Sequence, residues 1–400
     1  MAINYKELKR MSEGLDRPTF TNRIKECFKK KHFQPRDFKI RKLAEAFMGR
    51  EFVELCYPDH DDPDRYVKMG RILESGDGVD STSFSNITGQ IVYTAILDAY
   101  ESEARIATRL VPTISTTLSG EKIPGMQQLS DQGDDFIVNE GDPYPNYGYG
   151  EDYIETPETV KRGFIVPVTL EAIYFDRTNL ILQRASAVGE TMGINKEKRL
   201  MDLILGITNN YKRQGTEYNT YNTAATGLVP ANYANNNELL DYTDIDVVQQ
   251  LFNGMTDPFT GEPIMIEKMT MLVAQAKEAT ATRVLNSTEI RVDTDTNSIT
   301  TIGDTPSNLT SYSLETSAYV QKRLVASGVS QADADKTWIV GDFSKAFGYM
   351  ENWGITTSQA PQNAQKMFEQ DIVQQYKVSE RGAAAVLDPY YVVKCDKSGA

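Results

Sequence analysis

Apolar residues recur at helical spacing over residues 178–206 and predict the longest helix of the chain. They lie at i, i+4, i+7 and i+11, at Ile181, Ala185, Val188 and Met192. Asp176 or Thr178 is predicted to cap this helix at its N-terminus. Gly189 and Gly193 lie inside it, where each costs about 1 kcal/mol relative to alanine. We therefore expect either close packing at these glycines or a bend in the helix.

Shorter patterns alternate between helix and strand along the rest of the chain. Helices are predicted over residues 38–55, 86–107, 243–255, 276–285, 317–327 and 343–349, with Thr243 as the cap of the third. Strands are predicted over residues 111–118, 136–138, 164–166, 269–274 and 338–340, a hairpin or loop over 291–308, and irregular structure over 209–237. This irregular interleaving favours an α+β fold over a regular series of βαβ units.

The C-terminal residues 368–394, FEQDIVQQYKVSERGAAAVLDPYYVVK, predict a strand, a turn at Asp388-Pro389 and a second strand. The small residues 382–385 permit a close approach of the backbone to a neighbouring element. Glu380 and Arg381 stand immediately before them as adjacent opposite charges. Taken alone, the pattern is that of a sheet edge at the C-terminus.

Residues 119–161 are rich in Gly, Pro, Asp and Tyr and contain no pattern for a long element. Within them, residues 141–153 are GDPYPNYGYGEDY. A segment of this length without a core of its own is usually functional or disordered. An extended hairpin that finds its apolar partner on another chain accounts for the composition, because tyrosine is favoured at interfaces.

Charge is distributed unevenly. Residues 1–50 contain 14 Lys and Arg against 6 Asp and Glu, whereas the whole chain has a net charge of -14. Such a basic region can pair with a neighbouring copy, nucleic acid or an acidic partner, and a solvated helical face is the simpler alternative. The length of 400 residues predicts two or three lobes. Residues 1–83 are predicted to form a separate N-terminal region.

No motif indicates catalysis, a cofactor or a metal site. The only histidines are His32 and His60, which excludes a Ser-His-Asp or Cys-His site within residues 84–400. Phosphate-binding glycine motifs and C-x-x-C pairs are absent from the sequence, and the acidic run 59–64 lacks the spacing of a calcium loop. Three distant cysteines predict free thiols in a reducing compartment. No apolar run reaches the roughly 20 residues of a membrane span. We predict a protein that is not an enzyme.

In their order, these elements resemble the major capsid protein of tailed bacteriophages, which has the Hong Kong 97-type fold. The resemblance covers about residues 84–394. It is most specific in the last 60 residues, in WIVGDFSKAFGYMENW at 338–353 and in the C-terminal segment 368–394. It implies an α+β capsid fold with an N-terminal arm, an extended E-loop hairpin, a long spine helix, a peripheral (P) domain and an axial (A) domain.

The resemblance also implies domain boundaries. Residues 1–83 are a basic N-terminal region, arm-like or scaffold-like, residues 84–117 the N-arm helix and strand, and residues 118–163 the E-loop. Residues 164–227 and 356–394 form the P domain, with the spine helix at 176–206, and residues 228–355 form the A domain. In this family the N-terminal position often holds a scaffolding-like domain, which a maturation protease sometimes removes.

One feature departs from part of the family. Its crosslinking branch joins an E-loop lysine to an asparagine of a peripheral strand. Lys122 and Lys161 are available here, but residues 368–376 contain no asparagine, and Asp371 stands about where it would fall. We therefore expect no isopeptide crosslink.

The resemblance implies a structural subunit that self-assembles, as pentamers and hexamers, into the icosahedral head shell around double-stranded DNA. It implies assembly in the host cytoplasm, a place in the virion, and portal, scaffold or decoration proteins as further partners. Contact with packaged DNA would be non-specific at most, with no membrane involved. The predicted assembly contacts are Tyr144, Tyr147, Tyr149 and Tyr153 of the hairpin and the Glu380–Arg381 charge pair.

Two alternatives stay open at the level of the sequence. An encapsulin-type nanocompartment shares the fold but encloses an enzyme cargo, although the basic N-terminal region and the length favour the phage protein. A Tyr/Asn-rich ligand-binding module would instead be a monomer or a small oligomer. The sequence also leaves open whether residues 1–83 are cleaved, and whether the basic region contacts DNA or a neighbouring subunit.

Overall fold

The structure, a computed structural model, describes residues 5–15, 17–30, 32, 34–57, 62, 64–75, 80–102, 104–124, 138, 140–141, 152–208, 211–258, 261, 263–266, 268–286, 289–295, 298–304, 312–360 and 364–397. The helices are α1 (Tyr5–Gly14), α2 (Arg17–Lys29), α3 (Ile40–Phe47), α4 (Arg50–Leu55), α5 (Arg65–Ser75), α6 (Asp80–Tyr100), α7 (Ile106–Leu110), α8 (Leu170–Tyr174), α9 (Thr178–Ile204), α10 (Tyr242–Asn253), α11 (Glu278–Leu285), α12 (Ala318–Ala326), α13 (Gln331–Ala334), α14 (Phe343–Ala346) and α15 (Ala364–Gln370). None of the described helices is long and apolar enough to span a membrane.

The strands are β1 (Thr113–Ser115), β2 (Lys122–Pro124), β3 (Tyr153–Glu155), β4 (Val160–Thr169), β5 (Tyr211–Arg213), β6 (Thr216–Tyr218), β7 (Tyr233–Asn235), β8 (Met269–Ala274), β9 (Glu289–Asp295), β10 (Ser298–Asp304), β11 (Tyr312–Ser317), β12 (Trp338–Gly341), β13 (Phe347–Gln359), β14 (Ile372–Val386) and β15 (Val392–Asp396). Single 3₁₀ turns lie at Pro35–Asp37, Gln275–Lys277 and Pro389–Tyr391. The predicted mixture of helices and strands, an α+β fold, is confirmed.

The chain divides into two compact units. The first unit comprises Met1–Ser102, Lys161–Asn195 and Trp353–Arg381, and the second comprises Glu103–Val160, Lys196–Asn352 and Gly382–Ala400. Residues of α9, β13 and β14 are therefore shared out between the two units.

The first unit is built mainly from helices. In it, α1, α2 and α3 contact α6, while α3 and α4 contact α8. The strand segments of this unit follow the order β13, β14, β4, so that β4 is at the edge. One apolar cluster joins all these elements, including Phe52, Ile91, Ile181 and Tyr376. Burial of such side chains contributes about 1.5–3 kcal/mol each.

The second unit is organised around a five-stranded sheet in the order β11-β8-β12-β15-β7. Strand β12 is antiparallel to both β8 and β15, whereas β11 and β7 pair in parallel with their neighbours. Successive side chains of a strand point to opposite faces. Met271 and Val273 accordingly lie in one apolar cluster, and Leu272 and Ala274 lie in the other. The sheet is therefore covered on both faces.

Three smaller strand groups complete the second unit. Strand β1 pairs in parallel with the start of β13. Strands β2, β3, β5 and β6 form an antiparallel sheet. Strands β9 and β10 pair in an antiparallel arrangement, which agrees with the hairpin alternative predicted for residues 291–308 as far as Asp304, whereas residues 305–308 lie outside the described residues.

The predicted long helix is confirmed as α9, and Gly189 has a packing role in it. A Cβ at Gly189 would lie 2.3 Å from the carbonyl oxygen of Ile96 on α6. Glycine is therefore needed where the two helices come close. Before the helix, Asp176 has a positive φ of 49°, and its carboxylate accepts a hydrogen bond from the Thr178 hydroxyl at 2.9 Å.

Several predicted boundaries are wrong for local reasons. Residues 38–55 form two helices, because Gly49 between α3 and α4 has a φ of 90° that ends a helix. Residues 86–107 are likewise divided between α6 and α7. In residues 343–349 the helix ends at Ala346 and strand β13 begins at Phe347.

The start of α10 also differs from the prediction. Asp241, not Thr243, is the cap, and its carboxylate accepts a hydrogen bond from the Thr243 backbone N–H at 2.8 Å. The Asp244 carboxylate accepts one from the Asp241 N–H at 3.0 Å, which completes a capping box. Residues 209–237, predicted to be irregular, contain β5, β6 and β7.

The strand, turn and strand predicted at the C-terminus are confirmed as β14, the 3₁₀ turn Pro389–Tyr391 and β15. Their position differs from that of a sheet edge, because β14 lies between β13 and β4, and β15 lies between β12 and β7. The edge interpretation of this segment is wrong.

Candidate assembly site

The C-terminal strand β14 is buried over most of its 15 residues. Close backbone approach allows this. A Cβ at Gly382 would lie 2.6 Å from the Tyr349 hydroxyl and 2.8 Å from the Met350 carbonyl oxygen. On the other side, a Cβ at Gly163 of β4 would lie 2.2 Å from the carbonyl oxygen of Val378. The predicted role of the small-residue run 382–385 in close approach is confirmed at Gly382.

The predicted charge pair lies at the centre of this strand. Glu380 is 2% exposed, and its carboxylate accepts a hydrogen bond from the Tyr100 hydroxyl at 2.9 Å. The Arg381 guanidinium lies over the Trp353 ring, 5.7 Å from the ring centroid. Consecutive strand residues point to opposite faces, so the two charges have different surroundings. Their pairing across or within subunits stays a prediction.

The base of the predicted hairpin is the antiparallel pair β2–β3. Lys122 is opposite Glu155, and Pro124 is opposite Tyr153. The Lys122 ammonium lies 3.7 Å from the Glu155 carboxylate and 4.1 Å from the centroid of the Tyr153 ring. Glu155 also accepts from Lys212 at 2.7 Å, and these two lysines lower the pKa of its carboxyl group.

The four predicted tyrosines do not all fall within this base. Tyr153 is half-buried at the start of β3, whereas Tyr144, Tyr147 and Tyr149 lie outside the described residues. Their contact with a neighbouring subunit stays a prediction.

A buried ion pair lies next to the hairpin base. The Arg213 guanidinium donates to both Asp152 oxygens, at 3.0 Å from Nε and 2.5 Å from Nη2, with both side chains at most 2% exposed. Burial alone would lower the pKa of Arg213, but the hydrogen bonds to Asp152, the interactions with Tyr211 and the charge of Asp152 together raise the pKa. No local pattern indicates this pair, because 61 residues separate its members in the sequence.

A cleft of 410 Å³ adjoins the hairpin base and the end of β14. Its lining is largely apolar and consists of Ile114, Ile123, Pro124, Ile154, Met350 and Leu387, with Ser115, Glu121 and Asp388 as its polar members. Burial raises the pKa of the Asp388 carboxyl group to about 6, although the Tyr390 N–H donates to it at 3.0 Å. An apolar cleft with few polar groups is suited to receive an apolar side chain.

Strand β4 carries a second apolar surface. Phe164 and Ile165 are 47% and 58% exposed, and β4 ends the strand order of its sheet. An exposed apolar edge strand is typical of a surface that another chain covers. The sequence predicts a strand here but not its exposure.

Asp371, which stands about where the asparagine of the crosslinking branch would fall, forms a hydrogen bond within the subunit. Asp371 precedes β14 with a φ of 54°, and its carboxylate accepts from the Tyr66 hydroxyl at 2.9 Å. Lys161 is exposed on β4. Among the described residues, no group of three or more His, Cys, Asp or Glu side chains is arranged to hold a metal ion.

A family model described as "Phage capsid protein" matches residues 153–395, which is more than half of the chain. The chain belongs to the phage capsid protein family. It is therefore a structural subunit of a shell, and the resemblance to capsid proteins is confirmed. No curated protein sequence matches the chain.

A cyanophage capsid, a Gordonia phage structure and an encapsulin complex are among the solved structures that are similar to this chain at low identity. The cyanophage Pam1 capsid is 9% identical over 74% of this chain and 93% of its own, with a TM-score of 0.44. The Gordonia phage Cozz structure is 14% identical over 75% and 88%, with a TM-score of 0.42. The holo-SrpI encapsulin complex from Synechococcus elongatus is 14% identical over 73% and 86%, with a TM-score of 0.39.

Proposed function

We propose that this protein is the major capsid protein of a tailed phage, which assembles into pentamers and hexamers of an icosahedral head around double-stranded DNA. The observation that carries the proposal is the family match over residues 153–395. Helix α9, strand β14 and the five-stranded sheet lie within this match, except for Asp396, the last residue of β15.

The architecture of the family supplies the proposed domains. Residues 118–163 would be the E-loop, residues 176–206 the spine helix, residues 164–227 and 356–394 the P domain, and residues 228–355 the A domain. In support, α9 is one uninterrupted helix of 27 residues, and β2 and β3 close the base of the hairpin.

A shell subunit must present different surfaces to different neighbours, because the contacts of a closed shell are heterologous. Obligate interfaces often exceed about 2,000 Å² in total. We assign the hairpin tyrosines to one such contact, and the apolar edge at Phe164 and Ile165 to another. The apolar cleft beside Leu387 is a receptor for an apolar side chain of a neighbour.

Glu380 and Arg381 have a more limited role in this proposal. Glu380 is buried against Tyr100, which suits a group that fixes the shape of the subunit. Arg381, over Trp353, is the member suited to contact an acidic neighbour, since arginine and tryptophan are enriched in interface hot spots.

Assembly would take place in the host cytoplasm, and the finished subunit would reside in the virion. Portal, scaffold or decoration proteins are the further partners of such a shell. Any contact with packaged DNA is non-specific, since the chain carries a net charge of -14 and phosphates repel an acidic surface.

The hairpin contact is tested by two double variants. Tyr144→Ala/Tyr147→Ala removes both rings and should lower the melting temperature of assembled shells or abolish assembly. Tyr144→Phe/Tyr147→Phe keeps the rings and should assemble as the parent does. Sedimentation velocity and shell melting measure both effects. Unchanged assembly and melting in the alanine variant would rule out this contact.

A further inference from the structure

Among the described residues of the helices α1–α5, within residues 5–75, the buried apolar side chains form no cluster separate from that of the first unit. We call these helices the N-terminal layer. Their buried apolar side chains belong to the cluster of the first unit, together with residues of α6, α8, α9 and β14. These side chains are Leu8, Phe20, Ile24, Phe28, Phe38, Ile40, Leu43, Ala44, Phe47, Phe52, Val53, Leu55, Cys56 and Met69. Such a segment differs from a domain, which buries its apolar residues within itself.

The contacts of the layer reach elements far along the chain. Helices α1, α2 and α3 contact α6, α3 and α4 contact α8, and α5 contacts α15. The last of these carries Phe368, whose ring lies 5.3 Å from the ring of Tyr66 on α5. The layer therefore contacts three helices, α6, α8 and α15, that lie far apart in the sequence.

Hydrogen bonds join the start of α3 to the turn before α9. The Ile40 N–H donates to the Thr178 hydroxyl at 2.9 Å in a buried position. The Arg41 N–H donates to the Asp176 carboxylate at 3.3 Å, and the Arg41 guanidinium donates to the Tyr174 carbonyl oxygen at 3.0 Å. The first turn of the longest helix is thus bonded by layer residues.

A second set of polar contacts joins α5 to the turn before β14. The Tyr66 hydroxyl donates to the Asp371 carboxylate at 2.9 Å, and Arg65 lies 3.8 Å from the same carboxylate. Asp176 and Asp371 both have positive φ, at 49° and 54°. Non-glycine residues keep such backbone conformations only where their surroundings hold them, and at both aspartates the layer provides hydrogen bonds.

We propose that the N-terminal layer is a permanent part of the folded subunit and stays in the assembled shell, rather than being a scaffold-like segment that a protease removes. Removal would expose the apolar partners of its side chains on α6 and α8. It would also take away the donors that the layer supplies to the Asp176 and Asp371 carboxylates, the Arg41 N–H and the Tyr66 hydroxyl. The location in a shell rests on the proposed function, whereas the cohesion of the layer with the unit does not.

Retention would also keep basic residues on the finished particle. Arg23, Lys25, Lys29 and Lys30 on and after α2 are exposed, and they belong to the basic first 50 residues. A retained layer would therefore keep these positive charges on the particle after assembly.

A cut without removal tests the proposal on the full chain. A recognition sequence for a site-specific protease is inserted between Ser75 and Asp80, and the purified protein is cleaved at neutral pH without denaturant. Gel filtration with mass spectrometry then follows the fragment that contains α1–α5. We expect the fragment to co-elute with the rest of the chain, and its release into solution would overturn the proposal.

Two variants of the cleavable protein separate core packing from chance adhesion. Phe52→Ala removes a fully buried ring of the layer, and Val67→Ala alters a side chain that is 54% exposed. The first should release the fragment at a lower urea concentration than the parent does, and the second should match the parent. Equal release in all three proteins would contradict the proposed packing. A chain that retains the fragment but forms no particle would refute the proposed function, and with it the location in a shell, but would leave the cohesion of the layer with the first unit standing.

Discussion

Arg213 and Asp152 form a buried ion pair that contributes to the stability of the protein. Their side chains are at most 2% exposed and share two hydrogen bonds. Such a pair is costly to break, because the remaining charge is left buried without its counterpart. The pair lies next to the base of the hairpin. A fixed geometry there matters for any contact that the hairpin makes.

We predict that Arg213→Met lowers the free energy of unfolding by about 3–5 kcal/mol. The double variant Arg213→Met/Asp152→Leu should lose clearly less, since no unpaired charge remains in it. Urea denaturation of the three proteins measures the difference. A double variant that is less stable than Arg213→Met would show that the charge itself is not what matters.

We predict that the free energy of unfolding depends on pH through the carboxyl group of Asp388. Burial raises its pKa from the ordinary 3.8 to about 6, against the lowering effect of Arg213 and with further raising effects of Asp257 and Asp152. Between these two values the folded state binds a proton that the unfolded state has released. The stabilisation is therefore present at low pH and is lost as pH rises through about 6.

The variant Asp388→Asn has no titratable group at this position but keeps an acceptor for the Tyr390 N–H. The stability of the parent relative to the variant should fall by about 2 kcal/mol between roughly pH 4.5 and pH 7. Denaturation curves of both proteins at the two pH values provide the test. A difference that is constant with pH would contradict a raised pKa at Asp388.

At the scale of elements, glycines decide how closely helices and strands approach. Gly189 lets α9 approach the backbone of α6, where a Cβ would lie 2.3 Å from a carbonyl oxygen. At Gly70 in α5, nothing beyond the neighbouring residues and the backbone of its own helix lies within 4 Å of the position that a Cβ would take. The two positions are a matched pair, since both are helical but only one is in close contact.

We predict opposite effects of the same substitution at these glycines. Gly70→Ala should stabilise the protein by about 0.5–1 kcal/mol, because alanine is the better helix former. Gly189→Ala should destabilise it by about 1–3 kcal/mol, because the added methyl group overpacks the contact. Thermal melting distinguishes them, and a stabilising Gly189→Ala would disprove the close approach of α6 and α9.

Elements with a strong local pattern were predictable from the sequence. Helix α9, strand β8 and the strand, turn and strand at the C-terminus follow from apolar spacing and turn residues. The Asn- and Thr-rich residues 209–237 hide β5, β6 and β7, because their pairing is set by distant partners and not by an apolar alternation.

The candidate site was predictable only in part. The small-residue run at 382–385 was identified, whereas strands β2 and β3 at the base of the predicted hairpin were not. The partners of Glu380 and Arg213 were not, since Tyr100 and Asp152 are distant in sequence and carry no local signal. Adjacent charges in a sequence suggest a pair, but the two-residue repeat of a strand separates them onto opposite faces.

At the scale of the whole molecule, residues 1–83 were predicted as a separate N-terminal region. The structure places the apolar residues of its helices in the same cluster as those of α6, α8, α9 and β14. A sequence pattern shows that a helix has an apolar face but does not identify the element that covers it. Because of this shared core, we propose that the N-terminal layer stays in the finished shell.

This chain is a shell subunit by its family, and we propose that it self-assembles. Electron microscopy of the purified chain, with mass spectrometry of the same sample, is the decisive experiment. We predict closed or partial shells with five- and six-fold capsomers, made of chains that retain residues 5–75. A uniform small particle at every ionic strength, also after co-expression with a scaffold protein, would contradict the claim.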